Sequence, residues 1–196
     1  MSIILASASC IRATLLRNAG LNIKIHPASI DEEAITQERK KKGAQPEEIA
    51  LYLARAKAEK VSMLFKNEHI IGADQVLVQD KEFFEKPKNH SEAIRQLGKL
   101  SARQHELFTS AAIFKEGKEL WSVTTTALMT LHQLQQEEIV AYLKRNPTVI
   151  HNLGSYNFEG EGLSLFKKVA GDYFSILGIP LLEIMNFFRR EGLLVT

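Results

Sequence analysis

Apolar positions along the chain change spacing from segment to segment, and the changes mark out helices and strands in alternation. Ile3 to Ala6 is a short apolar run, the length of a buried strand, followed by the small-residue turn Ser7-Ala8-Ser9. Ile11 to Ala19 carries helical spacing, with Ser9 placed to cap it and Gly20 to stop it. Ile23 to His26 reads as a second short strand. Pro46 to Phe65 is a long helix, opened by proline and with Glu47 and Glu48 in its first turn. Ile70 to Val78 is apolar on both faces and reads as a buried strand, bounded by the turn Gln79-Asp80-Lys81.

Ser91 to Leu100 is a helix with Ser91 as its cap. His105 to Phe114 and Leu120 to Leu131 are strands joined through Lys115-Glu116-Gly117-Lys118, an antiparallel hairpin. Gln135 to Arg145 is a helix, and a glycine-rich stretch from Gly154 to Gly178 follows. Pro180 to Glu191 closes the pattern as a helix whose Leu181, Leu182, Ile184, Met185, Phe187 and Phe188 are mostly core. Alternation of helices and strands gives an α/β fold with a mixed sheet. With no repeat or linker, residues 1–196 are expected to form one domain.

Composition adds exclusions. Hydrophobic content of 45% and charged content of 24% are those of an ordinary soluble protein. A net charge of +2, with few aromatics near basic runs, argues against nucleic acid or a membrane surface as partner. The basic run Arg39 to Lys42 reads as a solvated helix end or loop. Cys10 stands alone, which excludes an intrachain disulfide and fits a reducing compartment. No secretory leader or membrane span is evident, so a cytoplasmic location is expected. The six histidines form no HExxH or His/Cys cluster, which argues against zinc, and Cys10 reads as a packing residue at a helix start.

The chemistry is carried by charges in apolar places. Asp74 interrupts the buried strand, and an ionised carboxylate there costs several kcal/mol unless cations or donors meet it. Lys57 falls on the stripe Ala50, Leu53, Val61, Leu64 of the long helix. Taken alone it reads as a snorkelling side chain. Arg12 shares a helix face with Leu15, Leu16 and Ala19, at a helix start where a cation is disfavoured without an anion. An anion there would meet backbone N–H groups, the Ser7 or Ser9 hydroxyl and Arg12. Gln75 points to the opposite face from Asp74. Lys86 is held extended by Pro87, though alone it reads as an exposed lysine. Asp31-Glu32-Glu33 reads as a solvated loop, a helix start, or a carboxylate source for a divalent cation.

Taken together, these segments resemble the Maf family of nucleoside triphosphate pyrophosphatases. The matching blocks are LASASCIRATLL, Asp31-Glu32, LARAKA around Lys57, GADQ from Gly72 to Gln75, EKP from Glu85 to Pro87, RQHELFTS, GSYNFEGEG and GDYFSILGIPL. They run in family order from residue 3 to about residue 185. Cys10, Ile11, Thr14, Ala102 and Ser110 depart from the common pattern, and the missing arginine at 11 bears on phosphate contacts.

The resemblance implies an ITPase-like fold, with a long twisted mixed sheet and two lobes around a cleft. It implies hydrolysis of a nucleoside triphosphate, modified or non-standard, to the monophosphate and pyrophosphate, with a linked role in arresting division. Asp74 would be the general base, Arg12, Lys57 and Lys86 phosphate-binding cations, and Glu32 a carboxylate assisting metal or water. Ser7 would open the phosphate loop and Gln75 stand beside the base. Mg²⁺ or Mn²⁺ would be held by Glu32 and Asp74, and a homodimer is implied. A non-catalytic, nucleotide-binding division regulator is the alternative, disfavoured by the intact Asp74, Lys57, Lys86 and Glu32. Lysines and metal are expected to hold the Asp74 pKa down against burial. Tyr156 is either a ring that stacks on the base or a core tyrosine.

Overall fold

Seven strands and seven α-helices make up the computed structural model, which describes residues 2–194. The helices are α1 (Cys10–Asn18), α2 (Glu32–Lys41), α3 (Pro46–Ser62), α4 (His90–Leu100), α5 (Gln136–Arg145), α6 (Tyr173–Ile176) and α7 (Leu181–Arg190). The strands are β1 (Ile3–Leu5), β2 (Ile23–Ile25), β3 (His69–Gln79), β4 (Glu82–Phe84), β5 (Gln104–Lys115), β6 (Lys118–Leu131) and β7 (Phe166–Ala170). Strand order is β2-β1-β3-β5-β6-β7, with β4 paired to β3. β1 runs parallel to β2 and β3, whereas β3–β4 and β6–β7 are antiparallel. The mixed α/β sheet expected from the sequence is therefore present.

The chain divides into two compact units. The first takes residues up to Gln75, Phe108–Thr125 and the chain from Asp172 on; the second takes Val76–Leu107 and Thr126–Gly171.

In the first unit the two faces of the sheet bury different partners. Ile3, Leu5, Ile71 and Ala73 pack with Leu16 of α1 and Ile184, Phe187 and Phe188 of α7. The alternate residues Ile4, Ala6 and Ile70 pack with Ala54, Ala58 and Val61 of α3. The period-two alternation of β1 and β3 thus places α1 and α7 on one face and α3 on the other. Leu64 does not continue the α3 stripe: the helix ends at Ser62, and Leu64 is 64% exposed.

The second unit is built around β4, β7, α4 and α5. The β3–β4 connection has positive φ at both Asp80 and Lys81, a two-residue turn of the type that matches strand twist. Glu116 and Gly117 do the same for the expected β5–β6 hairpin in the first unit. Helix α4 is capped by Asn89 rather than Ser91, the Asn89 Oδ1 accepting from the Glu92 N–H at 2.9 Å. Short 3₁₀ turns at 147–151, 153–155 and 161–165 precede and enter the glycine-rich stretch, which continues into β7 and α6.

Candidate functional site

The parallel pairing of β1 with the first residues of β3 sets the turn at the C-terminal end of β1 against the middle of β3. Leu5 lies opposite Ile71, and the Ala6 N–H donates to the Ile71 carbonyl, so the turn at Ser7 leaves the sheet beside Ala73 and Asp74. Carboxyl ends of parallel strands are where α/β folds gather their ligand-binding residues.

Asp74 shares a face of β3 with Gly72, two residues earlier. That face meets α3 at unusually close range, because a Cβ at Gly72 would fall 2.1 Å from the Ala54 carbonyl oxygen and 2.8 Å from the Ala58 nitrogen. The glycine lets α3 lie down on the strand, and Lys57, between those alanines on the helix, reaches the carboxylate. Its Nζ donates to Asp74 Oδ1 at 2.6 Å and stands 2.8 Å from Glu32 Oε2. Lys57 is 5% exposed, so it does not snorkel; its ammonium is buried between two carboxylates. Burial would be prohibitive for either charge alone and is met by the pair.

Glu32 occupies the first turn of α2, the helix-start reading of the acidic run. Asp31 caps that helix, its Oδ1 accepting from the Ala34 N–H at 2.9 Å. The basic run Arg39 to Lys42 forms the other end of the same helix.

Arg12 approaches from the opposite face of the sheet, on α1. Its Nε donates to the Gly178 carbonyl at 2.7 Å, and its Nη1 to the Ala73 carbonyl at 2.8 Å and the Ser7 hydroxyl at 3.2 Å. Ser9 caps α1 as expected, its Oγ accepting from the Arg12 N–H at 3.4 Å. The N–H groups of Cys10 and Ile11, at the start of α1, make no hydrogen bond with described residues. Cys10 is exposed there and is not the packing residue its position suggested.

Gln75 points away from Asp74, as the strand period requires. Its Nε2 donates to the Thr109 hydroxyl at 2.9 Å and to the carbonyls of Ser175 and Ile176 at 3.0 and 3.2 Å. Ser7, Arg12, Glu32, Lys57, Asp74 and Gln75 all belong to the first unit, and Lys86 to the second. Lys86 is exposed on a loop whose neighbours are fixed: Pro87 is buried, and Gln96 Nε2 donates to the Glu85 carbonyl at 2.8 Å. Sequence reasoning missed Thr109 and Gly178, whose bonds run to or from main-chain carbonyls that no side-chain pattern announces.

Burial is the largest influence on Asp74 and lifts its pKa above the ordinary carboxylate value. The charges of Lys57 and then Arg12 pull it back, and Glu32 pushes it further up. Lys57 and Arg12 alone offset only part of the effect of burial. Burial also pulls the Arg12 pKa down, though an arginine stays charged throughout the working range.

Tyr156 proves to be a core residue of the second unit. Its hydroxyl lies 3.0 Å from His105 Nε2, and its ring meets Phe166 edge-on at 4.9 Å.

The carboxylates of Glu32 and Asp74, joined through Lys57, are hard oxygen donors of the kind Mg²⁺ and Mn²⁺ prefer. No group of three or more His, Cys, Asp or Glu able to hold a metal occurs among the described residues. Two carboxylates fit a cation that takes its remaining oxygens from phosphate and water. No helix among the described residues is long and apolar enough to cross a membrane.

The chain is 40% identical over 192 residues to nucleoside triphosphate pyrophosphatase 1 of Jannaschia sp. (strain CCS1), covering 97% of each chain. It is 39% identical over 191 residues to a 7-methyl-GTP pyrophosphatase of Rhizobium etli, covering 97% of this chain and 96% of that one. It is 38% identical over 193 residues to a nucleoside triphosphate pyrophosphatase of Ruegeria sp. (strain TM1040), covering 98% and 97%. The family model described as Maf-like protein matches residues 2–191, and the chain belongs to that family.

Proposed function

We propose that this protein hydrolyses nucleoside triphosphates between the α and β phosphates, releasing the nucleoside monophosphate and pyrophosphate. The observation that carries the reading is the buried Asp74–Lys57 pair in the middle of β3, with Arg12 and Ser7 alongside. Relatives named as nucleoside triphosphate and 7-methyl-GTP pyrophosphatases support it, and the latter name makes 7-methyl-GTP the first substrate to test.

Asp74 acts as general base. Lys57 holds Oδ1, while Oδ2 accepts no hydrogen bond from the described residues and is left to take a proton from water. That water attacks the α phosphorus in line with the departing β phosphate. The bond to the bridging oxygen breaks, and its electron pair leaves with pyrophosphate. Arg12, the Ser7 hydroxyl and the unengaged N–H groups of Cys10 and Ile11 offset phosphate charge at the start of α1. Lys57 keeps the base ionised and oriented. Lys86 is assigned to phosphate on resemblance, and Gln75 to ordering the strand behind the base.

Glu32 and Asp74 would hold a divalent cation, which when bound supplies positive charge to the phosphates and lowers the pKa of water. The single cysteine fits a reducing compartment, and a cytoplasmic site of action is part of the proposal.

Pyrophosphate release from a panel of ordinary and modified nucleoside triphosphates, with Mg²⁺ or Mn²⁺, tests the proposal. Wild type should release pyrophosphate and Asp74→Asn should lose at least about a hundredfold in rate. Folded wild type that releases none from any triphosphate sinks it.

A further inference from the structure

One turn of the chain, at residues 172–178, is fastened from three sides. Asp172 caps α6, its Oδ2 accepting from both the N–H and the hydroxyl of Ser175 at 2.7 Å. The Ser175 carbonyl accepts from the Thr109 hydroxyl at 2.8 Å and from Gln75 at 3.0 Å. Gly178, held at a φ of +105°, offers its carbonyl to Arg12 Nε, and a Cβ there would come within 3.4 Å of that nitrogen. Arg12 returns to β3 through the Ala73 carbonyl, two residues before Gln75. The bonds thus close a loop from β3 through Gln75, the 175–178 carbonyls and Arg12 back to β3.

Thr109 is the member of this loop with no other evident duty. It is 1% exposed on β5, so it touches no ligand. Its single oxygen accepts from Gln75 and donates to Ser175, so it orders both groups at once. We propose that Thr109 is a positioning residue for Arg12: it fixes the carbonyl turn that aims the guanidinium at the substrate phosphates. Without it the turn keeps its Asp172 cap but loses a tie to β5, and the Gly178 carbonyl no longer holds Arg12 in one place. The inference rests on the phosphate role proposed for Arg12.

The test uses the protein in five forms: wild type, Thr109→Val, Thr109→Ser, Arg12→Lys and the Thr109→Val/Arg12→Lys double variant. Two readouts are taken, steady-state kinetics with the best triphosphate of the panel and hydrogen exchange of the Arg12 Nε–H, its NMR signal assigned by its loss in Arg12→Lys. Thr109→Val should raise KM about tenfold with kcat within about twofold, the effect of one buried hydrogen bond acting on binding. It should also accelerate exchange at Arg12 Nε. Thr109→Ser should restore both, and the double variant should bind no worse than Arg12→Lys alone.

Wild-type exchange in Thr109→Val overturns the inference, as does a KM penalty that adds in full to that of Arg12→Lys; either leaves the proposed hydrolysis intact. Failure of wild type to release pyrophosphate overturns the hydrolysis instead, and the exchange readout still decides whether Thr109 holds Arg12. Should Thr109→Val not fold, Asp172→Asn loosens the same turn from its other side and takes its place in both readouts.

Discussion

No side chain fits between Gly72 and the carbonyl of Ala54. The gap that an added Cβ would need, 2.1 Å from a main-chain oxygen, is filled by helix α3 itself. Gly72→Ala must therefore push α3 off the strand and draw Lys57 away from Asp74. A loss of about 3 kcal/mol in unfolding free energy is expected, together with most of the activity. Denaturant unfolding beside a pyrophosphate assay checks both, and wild-type stability in the variant contradicts the close approach.

As the proposed general base, Asp74 would set the acid limb of the pH profile. Its folded pKa is raised, chiefly by burial, so kcat/KM should begin to fall at a pH above the ordinary carboxylate value of about 3.9. Linkage runs the same way. A carboxylate that binds its proton more tightly when folded favours the fold at low pH, and that contribution is lost as pH rises through the folded pKa. Stability measured from pH 4 to 8 should accordingly rise in Asp74→Asn relative to wild type on the alkaline side. A gap that narrows with rising pH contradicts the assignment.

His105 works in the opposite direction. Burial lowers its pKa to about 4, while the unfolded chain takes up a proton near 6.5. The contribution is whole above pH 6.5 and is lost as pH falls toward 4, amounting to about 3 kcal/mol. The His69 pKa is also lowered and adds with the same sign. Chemical denaturation midpoints between pH 4 and 7 should show this slope in wild type and a shallower one in His105→Gln.

Lys86 is exposed and makes no ion pair with described residues, so Lys86→Ala should change stability by less than about 0.5 kcal/mol. If its ammonium meets phosphate, kcat/KM falls about tenfold or more, with a weaker dependence on salt. Unchanged kinetics across the triphosphate panel remove Lys86 from the site.

Tyr156→Phe separates a core tyrosine from a base-stacking one. Losing the hydroxyl opposite His105 should cost about 1 kcal/mol of stability. The ranking of triphosphates should stay as in wild type, and a changed ranking would place the ring against the base.

Much of this was legible in advance because it shows as pattern. β3 declares itself by being apolar on both faces, α3 by its proline and acidic first turn, and the β5–β6 hairpin by its glycine. Asp74 and Lys57 stood out as charges in apolar places, although only the structure shows that each is the other's reason for being buried. Helix α2 was legible only at its ends, as one reading of Asp31 to Glu33 and of Arg39 to Lys42, because it buries no residue and has no apolar stripe between them. β4 was hidden because three residues carry no period and its turn, Asp80-Lys81, lacks the asparagine or glycine that usually marks one. β7, as Phe-Lys-Lys-Val-Ala, is too polar for a strand by composition and forms by pairing with β6. Thr109 looked like any strand threonine, since its bonds lie to residues 34 and 66 positions away.

The Arg12–Gly178 bond spans 166 positions. A chain leaving the ribosome carries Ser7, Arg12, Glu32, Lys57 and Asp74 before the acceptor for the arginine has been made. Contacts of such separation come late in folding. A nascent or truncated chain that stops short of Gly178 would hold the carboxylates and the lysine while its arginine stayed unanchored. Synthesis as far as Gly178 thus completes the anchoring of a residue made 166 positions earlier, and a copy stopped before that point would have a poorly organised grip on triphosphates.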